Sequence, residues 1–219
     1  MIRRTALAAA ALLGIAACSN DPEYLSPIDT IYAVLFGGKA EPSPISPEQI
    51  VRTLGSTDLP VIFFAMPERE TQSLLLKIEQ NGPYATYGNP SRQSVVLRNG
   101  MITGTRGLSG DLMSTDEGPL LDLVRARRAG TAIYIQRWLT PEDVTRVTTY
   151  RCGIEPDKPV DVALGLVRSA AREIIAACES PDGPPFVDYY VVDGAGEILA
   201  SRQWLGPNIG YAAMHRLRR

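Results

Sequence analysis

The strongest local structural signal lies near the middle of the chain, in the segment QSVVLRNGMITGT, residues 93–105. Two runs that are rich in β-branched and apolar residues flank the dipeptide Asn99-Gly100. Asn-Gly suits a two-residue hairpin turn because both turn positions need a positive φ angle. Residues 93–98 and 101–105 are therefore predicted to form a β-hairpin.

Strand signals continue on both sides of this hairpin. Short apolar runs, and runs in which apolar and polar residues alternate, are separated by Gly, Pro, Asn and Asp. The further predicted strands are residues 61–66, 73–79, 84–87, 132–139, 144–152, 187–192 and 197–204. Most of the chain is therefore expected to be β structure.

Three short helices are predicted around these strands. The first covers residues 19–38, where apolar residues have helical spacing, and a proline-rich linker follows at 41–47. The second begins at Ser46-Pro47-Glu48, with a capping side chain and proline at the first helical position, and ends at Gly55. The third covers residues 117–129.

Residues 160–179 give conflicting signals. The segment is rich in alanine, and one helical stripe collects Leu164, Val167, Ala171, Ile174 and Cys178. Local sequence alone therefore favours a helix, although a strand stays open as the alternative.

The N-terminus has the layout of a bacterial secretory signal. Arg3 and Arg4 precede an uncharged stretch, residues 5–17, which is too short to span a bilayer. Small residues before Cys18 resemble the lipobox of bacterial lipoproteins, so residues 1–17 are predicted to be removed and Cys18 to be lipidated. In the alternative, an ordinary signal peptidase cleaves here and Cys18 is incidental. Ser19 favours the outer membrane, because an Asp at this position resembles the signal for inner-membrane retention.

The other two cysteines are predicted to pair. With Cys18 lipidated, Cys152 and Cys178 are left as a natural disulfide pair in the oxidising periplasm. Two buried free thiols are the alternative. A metal site is not expected, because two cysteines and His215 give no close cluster of ligands.

Composition excludes several classes of function. The apolar and charged fractions, 45% and 21%, are those of an ordinary globular protein. With 24 acidic and 22 basic residues, the chain has no basic excess that would indicate nucleic-acid binding. The basic cluster Arg216, Arg218 and Arg219 is expected to be solvated. No second apolar segment has membrane-spanning length, so the predicted anchor is lipid alone.

Catalytic signals are absent from the sequence. The one histidine, His215, is expected to be structural or exposed, and residues 107–110 lack the spacing of a nucleophile elbow. Residues 194–196 lie in a predicted strand-to-strand turn, so they form no phosphate-binding loop. The protein is therefore predicted not to be an enzyme and to need no cofactor.

Two segments are unusual enough to be candidate binding sites. In residues 103–112, Arg106 and Asp111 frame a glycine-rich stretch and either pair with each other to fix the loop or contact a ligand or partner. In residues 201–211, Trp204 lies beside Arg202 and Gln203 and either packs into the core or stacks on a sugar ring. The candidate binding residues are Arg106, Asp111, Arg202, Gln203 and Trp204.

These two segments carry a family resemblance. The runs RQSVVLRNGMITGTRGLSGDLM (92–113) and GEILASRQWLGPNIGYAAMHRL (196–217) resemble the YjbF/GfcB family of outer-membrane lipoproteins, which are encoded with exopolysaccharide or group 4 capsule secretion genes. The resemblance implies a mostly antiparallel β fold with few helices and no known catalytic residues. By this analogy residues 164–178 are expected to be largely a strand, disulfide-bonded to its neighbour at Cys152.

The expected architecture is mainly β: an antiparallel meander sheet folded on itself, like a barrel or sandwich, with a few short helices. Residues 1–17 are the expected signal peptide, 18–44 the tether with a helix and a proline-rich linker, and 45–219 the β domain.

The resemblance implies a non-catalytic accessory protein of polysaccharide secretion or assembly. It would be lipid-anchored to the outer membrane, face the periplasm and bind secretion proteins or the polysaccharide, with a homodimer as one open state. The alternative function is a periplasmic carrier of lipid or lipoproteins with a curved β sheet.

Overall fold

A computed structural model describes residues 45–140 and 144–219 of the chain. The predictions for the signal peptide, Cys18, the helix at 19–38 and the first part of the proline-rich linker lie outside these residues. Within the described part, two α-helices, α1 (Pro47–Ser56) and α2 (Gly118–Ala126), and a short 3-10 helix (Pro67–Arg69) accompany the strands.

Twelve antiparallel strands form one sheet. In chain order they are β1 (Val61–Met66), β2 (Thr71–Asn81), β3 (Tyr84–Gly88), β4 (Ser94–Arg98), β5 (Met101–Arg106), β6 (Leu112–Asp116), β7 (Gly130–Leu139), β8 (Thr145–Leu164), β9 (Val167–Ser180), β10 (Gly183–Asp193), β11 (Ile198–Trp204) and β12 (Tyr211–Arg218). Almost every strand pairs with its neighbour in sequence, as in a meander.

Two features make this sheet barrel-like. Strand β1 pairs with β12, so the first and last of the described strands meet inside the sheet. The two edge strands, β5 and β6, then come side by side, and Arg106 donates hydrogen bonds across the gap to the carbonyls of Leu112 and Met113, both at 3.3 Å. The predicted mainly β, antiparallel sheet folded on itself is confirmed.

The hairpin predicted at Asn99-Gly100 is present. Arg98 pairs with Met101, and the two turn residues have φ angles of 50° and 90°. A Cβ atom on Gly100 would lie 2.3 Å from the carbonyl oxygen of Ile198, so this turn also packs tightly against β11.

The sheet has a hydrophobic core on each of its two faces. The inner face, which the curved sheet encloses, buries large side chains that include Tyr87, Tyr134, Tyr150 and Tyr190. On the outer face, a smaller core forms where α1 and the turn between β8 and β9 cover β1 and β12. Its members include Ile50, Leu54, Phe63, Leu164, Val167 and Leu217.

The ambiguous segment 160–179 is strand. Strand β8 runs to Leu164, and β9 returns from Val167, with buried residues alternating along it at Ile174, Ala176 and Cys178. The β8–β9 pairing shifts register between Pro156 and Pro159, as expected where proline cannot donate to the ladder. Beyond this shift the turn packs against β12, where the Leu166 amide donates to the Leu217 carbonyl at 2.7 Å.

The predicted disulfide is confirmed. Cys152 and Cys178 are directly paired residues of β8 and β9, and their sulfur atoms are bonded. Both side chains are buried on the inner face.

The predicted helix starting at Ser46 is also confirmed. The Ser46 side chain accepts a hydrogen bond from the Gln49 amide, and the Gln49 side chain accepts one from the Ser46 amide, which together form a capping box.

Sequence reasoning missed β6, β12 and the second half of β8. The expectation that the C-terminal arginines are solvated is wrong for Arg216, which is only 7% exposed. Arg216 donates to the hydroxyl of Tyr87 and pairs with Glu197 at 3.1 Å. Arg218 donates to the Leu54 carbonyl at the end of α1. These arginines hold the last strand in place.

Candidate functional site

The two segments singled out in the sequence meet in space. The loop 107–111, which connects β5 to β6, packs against the loop 205–210, which connects β11 to β12. A Cβ atom on Gly110 would lie 2.4 Å from the Cβ of Asn208, so only glycine allows the loops to approach this closely. The φ angle of Gly110, 108°, adds a second reason for glycine there.

Arg69 joins the two loops. It lies at the end of the 3-10 helix after β1 and donates hydrogen bonds to the carbonyls of Leu108, Ser109 and Asn208. Sequence reasoning missed this residue because Pro67-Glu68-Arg69 resembles any polar turn, and its partners are distant in sequence.

Asp111 and Arg106 both shape the loop 107–111, but they do so separately. The Asp111 carboxylate accepts hydrogen bonds from the Thr105 hydroxyl at 2.9 Å and from the amides of Gly107 and Leu108 at 2.8 and 3.0 Å. Arg106 donates to the carbonyls of Leu112 and Met113 across the β5–β6 gap, and also to the carbonyl of its neighbour Thr105. The contacts of these side chains are thus with the loop and strand ends and not with each other.

A cleft of about 530 Å³ opens beside the two loops. It is lined by Arg69, Ser109, Gly110, Asp111, Met113, Leu139, Thr140 and Asn208. Its volume falls in the range of small-molecule sites. Because the loops are fixed by hydrogen bonds and close packing, the polar groups of this cleft are held in place before any ligand arrives.

Arg202 and Trp204 form a second cluster, centred on Tyr211. The Arg202 guanidinium lies 3.3 Å from the centroid of the Tyr211 ring, a cation–π contact. The Trp204 ring lies edge-on to Tyr211 at 5.4 Å and stacks on Phe186 at 6.4 Å. Trp204 is half-buried, so it packs at the margin of the inner core, and it is not among the residues that line the cleft.

Gln203 lies away from both sites. It is 2% exposed, and its side chain accepts a hydrogen bond from the Ile102 amide at 3.1 Å and donates to the Ser201 hydroxyl at 2.7 Å. These hydrogen bonds join β11 to β5 within the interior, so Gln203, a candidate binding residue in the sequence, has a structural role.

A buried carboxyl lies directly behind the Trp204 cluster. Asp188 is 1% exposed and accepts hydrogen bonds from the Trp204 amide at 2.8 Å and the Tyr190 hydroxyl at 3.0 Å. Burial raises the pKa of Asp188 to about 7, because the desolvation of the charged carboxylate outweighs these hydrogen bonds. Nearby, burial also raises the pKa of Tyr134 and Tyr190.

His215 lies on the outer face, away from the cleft. Its ring lies 5.7 Å from the Phe63 ring, and burial lowers the pKa of His215 to about 4. The imidazole is therefore neutral at pH 7 and packs as a core side chain. Among the described residues, no group of three or more His, Cys, Asp or Glu side chains is arranged to hold a metal ion. In the same part of the chain, no helix has the length and apolar composition for a membrane span.

Together, the fold and the site define a barrel-like, single-sheet β protein whose polar cleft lies between two loops. The chain belongs to the YjbF family, described as group 4 capsule polysaccharide lipoprotein GfcB/YjbF, which it matches over residues 28–217. The family resemblance seen in the sequence is thereby confirmed. A comparison with curated proteins finds no match.

A solved structure has the same fold. The crystal structure of the hypothetical lipoprotein YmcC from Escherichia coli (K12) is similar, with a TM-score of 0.68 and 16% sequence identity. The similarity covers 89% of this chain and 96% of that one.

Proposed function

We propose that this protein is a lipid-anchored, non-catalytic accessory component of capsule or exopolysaccharide secretion. A role in this secretion process is supported by membership of a family described as capsule polysaccharide lipoproteins. The cysteine at the end of the predicted signal, Cys18, supports the lipid anchor, and Ser19 supports the outer membrane with the β domain facing the periplasm.

We assign polymer binding to the cleft between the loops 107–111 and 205–210. The observation that carries this assignment is the convergence, through Arg69, of the two segments that resemble the family in sequence. Hydroxyl, amide and guanidinium groups line the cleft beside the apolar side chains of Met113 and Leu139. Such a mixture suits a sugar unit, which presents hydroxyl groups and apolar ring faces.

The described interior gives the lipid-carrier alternative no support. The four buried tyrosines and the aliphatic side chains around them fill the inside of the sheet. The cleft, in contrast, lies at the loops.

The proposal is tested in a deletion strain scored for surface polysaccharide. Complementation with the Asn208→Ala variant should reduce the polymer, because the side-chain amide leaves the cleft while the backbone carbonyl can still bind Arg69. Asn81→Ala is the matched control, because Asn81 is exposed at the opposite end of β2 from Arg69. The melting temperature of both variants should equal that of the wild type.

Three results would each contradict a part of the proposal. Wild-type polymer levels with both Asn208→Ala and Arg69→Gln would mean that the cleft is not needed for polymer secretion. Wild-type levels with Cys18→Ala, at equal protein abundance, would remove the lipid anchor. A cleft that binds a partner protein instead would show as loss of polymer in cells without any loss of polymer binding by the purified variant.

A further inference from the structure

A second polar groove lies between α1 and the turn that joins β3 to β4. It has a volume of about 430 Å³, and its floor is the start of β2. The lining side chains are Ile45, Gln49, Arg52, Thr53, Gln72, Ser73, Leu74, Asn89, Pro90 and Ser91. None of these residues is part of the cleft.

The amphipathic pattern of α1 places polar groups in this groove. Ile50 and Leu54, four residues apart, are buried in the outer core. Gln49, Arg52 and Thr53 have the i, i+3 and i+4 spacing that puts side chains on one helix face, and all three line the groove. The groove side of the helix is therefore distinct from its core side.

Hydrogen-bond donors dominate the groove. The side-chain oxygens of Gln49 and Gln72 accept hydrogen bonds from the amides of Ser46 and Ile45, at 2.7 and 2.8 Å. Each of these carboxamides therefore still has its NH₂ group for a ligand. The hydroxyls of Ser73 and Ser91 add donors that also accept.

The charge of the groove is positive. Arg52 is the one charged residue among those that line it, and within the described residues its guanidinium has no hydrogen bond or ion pair. The nearest acid along the helix, Glu48, is hydrogen-bonded by the Ser46 side chain, which lowers the pKa of that carboxyl. Among the described residues that line the groove, no carboxylate competes with an anionic ligand.

We infer that this groove is a second saccharide site, one that selects an acidic sugar unit. The sugar carboxylate would pair with Arg52, and the amides and hydroxyls would bind the ring hydroxyls. This inference rests on the proposed function, since it adds a site for the same polymer. Both sites flank the β1–β2 turn, because Arg69 of the cleft and Gln72 of the groove are three residues apart.

The inference is tested with the full chain in micelles of a detergent that has no sugar headgroup. Tetragalacturonate is the acidic probe and maltotetraose the neutral one, and titration calorimetry measures the dissociation constants. Arg52→Gln should weaken tetragalacturonate binding about tenfold, as expected for loss of a charged hydrogen-bond partner. Arg128→Gln is the matched control, because Arg128 is likewise exposed but lies away from the groove, after α2.

A second readout locates the probe. In NMR spectra of the full chain, tetragalacturonate should shift the side-chain amide signals of Gln49, Gln72 and Asn89. Absence of binding, equal binding of both probes, or wild-type affinity in Arg52→Gln would each overturn the inference. These outcomes differ from failure of the proposed function, because the polymer phenotype of Asn208→Ala does not depend on Arg52.

Discussion

Replacing Asp188 by Asn and His215 by Leu should change the pH dependence of stability in opposite directions. Burial raises the pKa of Asp188 from its ordinary value of 3.8 to about 7, and burial lowers the pKa of His215 from 6.5 to about 4. Both side chains are almost fully inaccessible, at 1% and 4% exposure, so solvent screens neither. Each pKa change is therefore also a contribution to folding stability.

The sign of each contribution follows from where the proton binds. Asp188 holds a proton in the folded state between pH 4 and 7 but not when unfolded, so this stabilisation is complete below pH 4 and disappears as the pH rises to 7. Its full loss is about 4 kcal/mol. His215 is neutral when folded but protonated when unfolded between pH 4 and 6.5, so its stabilisation is complete above pH 6.5 and is lost on acidification, by about 3 kcal/mol.

The two groups nearly compensate each other in the wild type between pH 4 and 6.5. The assay is urea unfolding at half-unit steps from pH 4 to 8, with each variant compared to the wild type so that contributions shared by all carboxylates cancel. The free energy of unfolding of Asp188→Asn minus that of the wild type should rise by about 4 kcal/mol from pH 4 to 7, because only the wild type loses stability over this range. The Asn side chain keeps an oxygen for the Trp204 amide, so the hydrogen bond at this position survives.

The difference for His215→Leu should grow by about 3 kcal/mol as the pH falls from 6.5 to 4, again in favour of the variant. The double variant should show both changes at once. A difference that stays constant with pH for either single variant would refute the reasoning, because it would mean that the group has the same pKa in the folded and unfolded states.

Three further predictions concern stability. Replacing Cys152 and Cys178 together by Ala should lower the free energy of unfolding by about 3–4 kcal/mol, because the disulfide closes a loop of 26 residues and so limits the entropy of the unfolded chain. Urea titrations compare this variant with the oxidised and the reduced wild type, and equal stability of all three samples would count against the prediction. Gly100→Ala should lower the melting temperature far more than Gly82→Ala. Both glycines have positive φ angles, but only at Gly100 would the added Cβ meet another strand, at Ile198 of β11. Similar decreases in melting temperature would disagree with this packing. Arg218→Gln should make the end of α1 fray, because the Arg218 guanidinium binds carbonyls there. Amide hydrogen exchange should then be faster in α1 and unchanged in the sheet, and unchanged exchange in α1 would oppose this role.

Local signals were sufficient for part of the fold. The Asn99-Gly100 hairpin and the helix beginning at Ser46 were both predictable, because a turn type and a capping box depend on residues within a few positions of each other. The Cys152–Cys178 pair was predictable from the cysteine count once Cys18 was set aside. The two segments that line the cleft were also predictable as candidate sites, because their glycine-rich and aromatic residues are unusual in the sequence.

Other elements were hidden from local reasoning. In β9 the alanine-rich sequence gives a helical stripe, and only pairing with β8 and β10 on either side makes it a strand. Strand β12 has no strong local strand signal, and its conformation depends on pairing with β1 at the other end of the domain. Arg69 was missed for the same reason, because the carbonyls to which it donates hydrogen bonds come close to it only in the folded chain.

Mainly β structure, the pairing of the two later cysteines and the resemblance to a family of capsule-associated lipoproteins were all accessible from the sequence, and the resemblance in turn implied antiparallel strands. The strands and the resemblance depend on backbone preferences, residue alternation and motif identity, which neighbouring residues encode, and the pairing follows from the number of cysteines. Three features emerge only when the chain is folded: β1 pairs with β12, the edge strands β5 and β6 meet, and the loops 107–111 and 205–210 form a cleft with Arg69. Those contacts join residues far apart in the chain, and their geometry follows from how the whole sheet curves and closes.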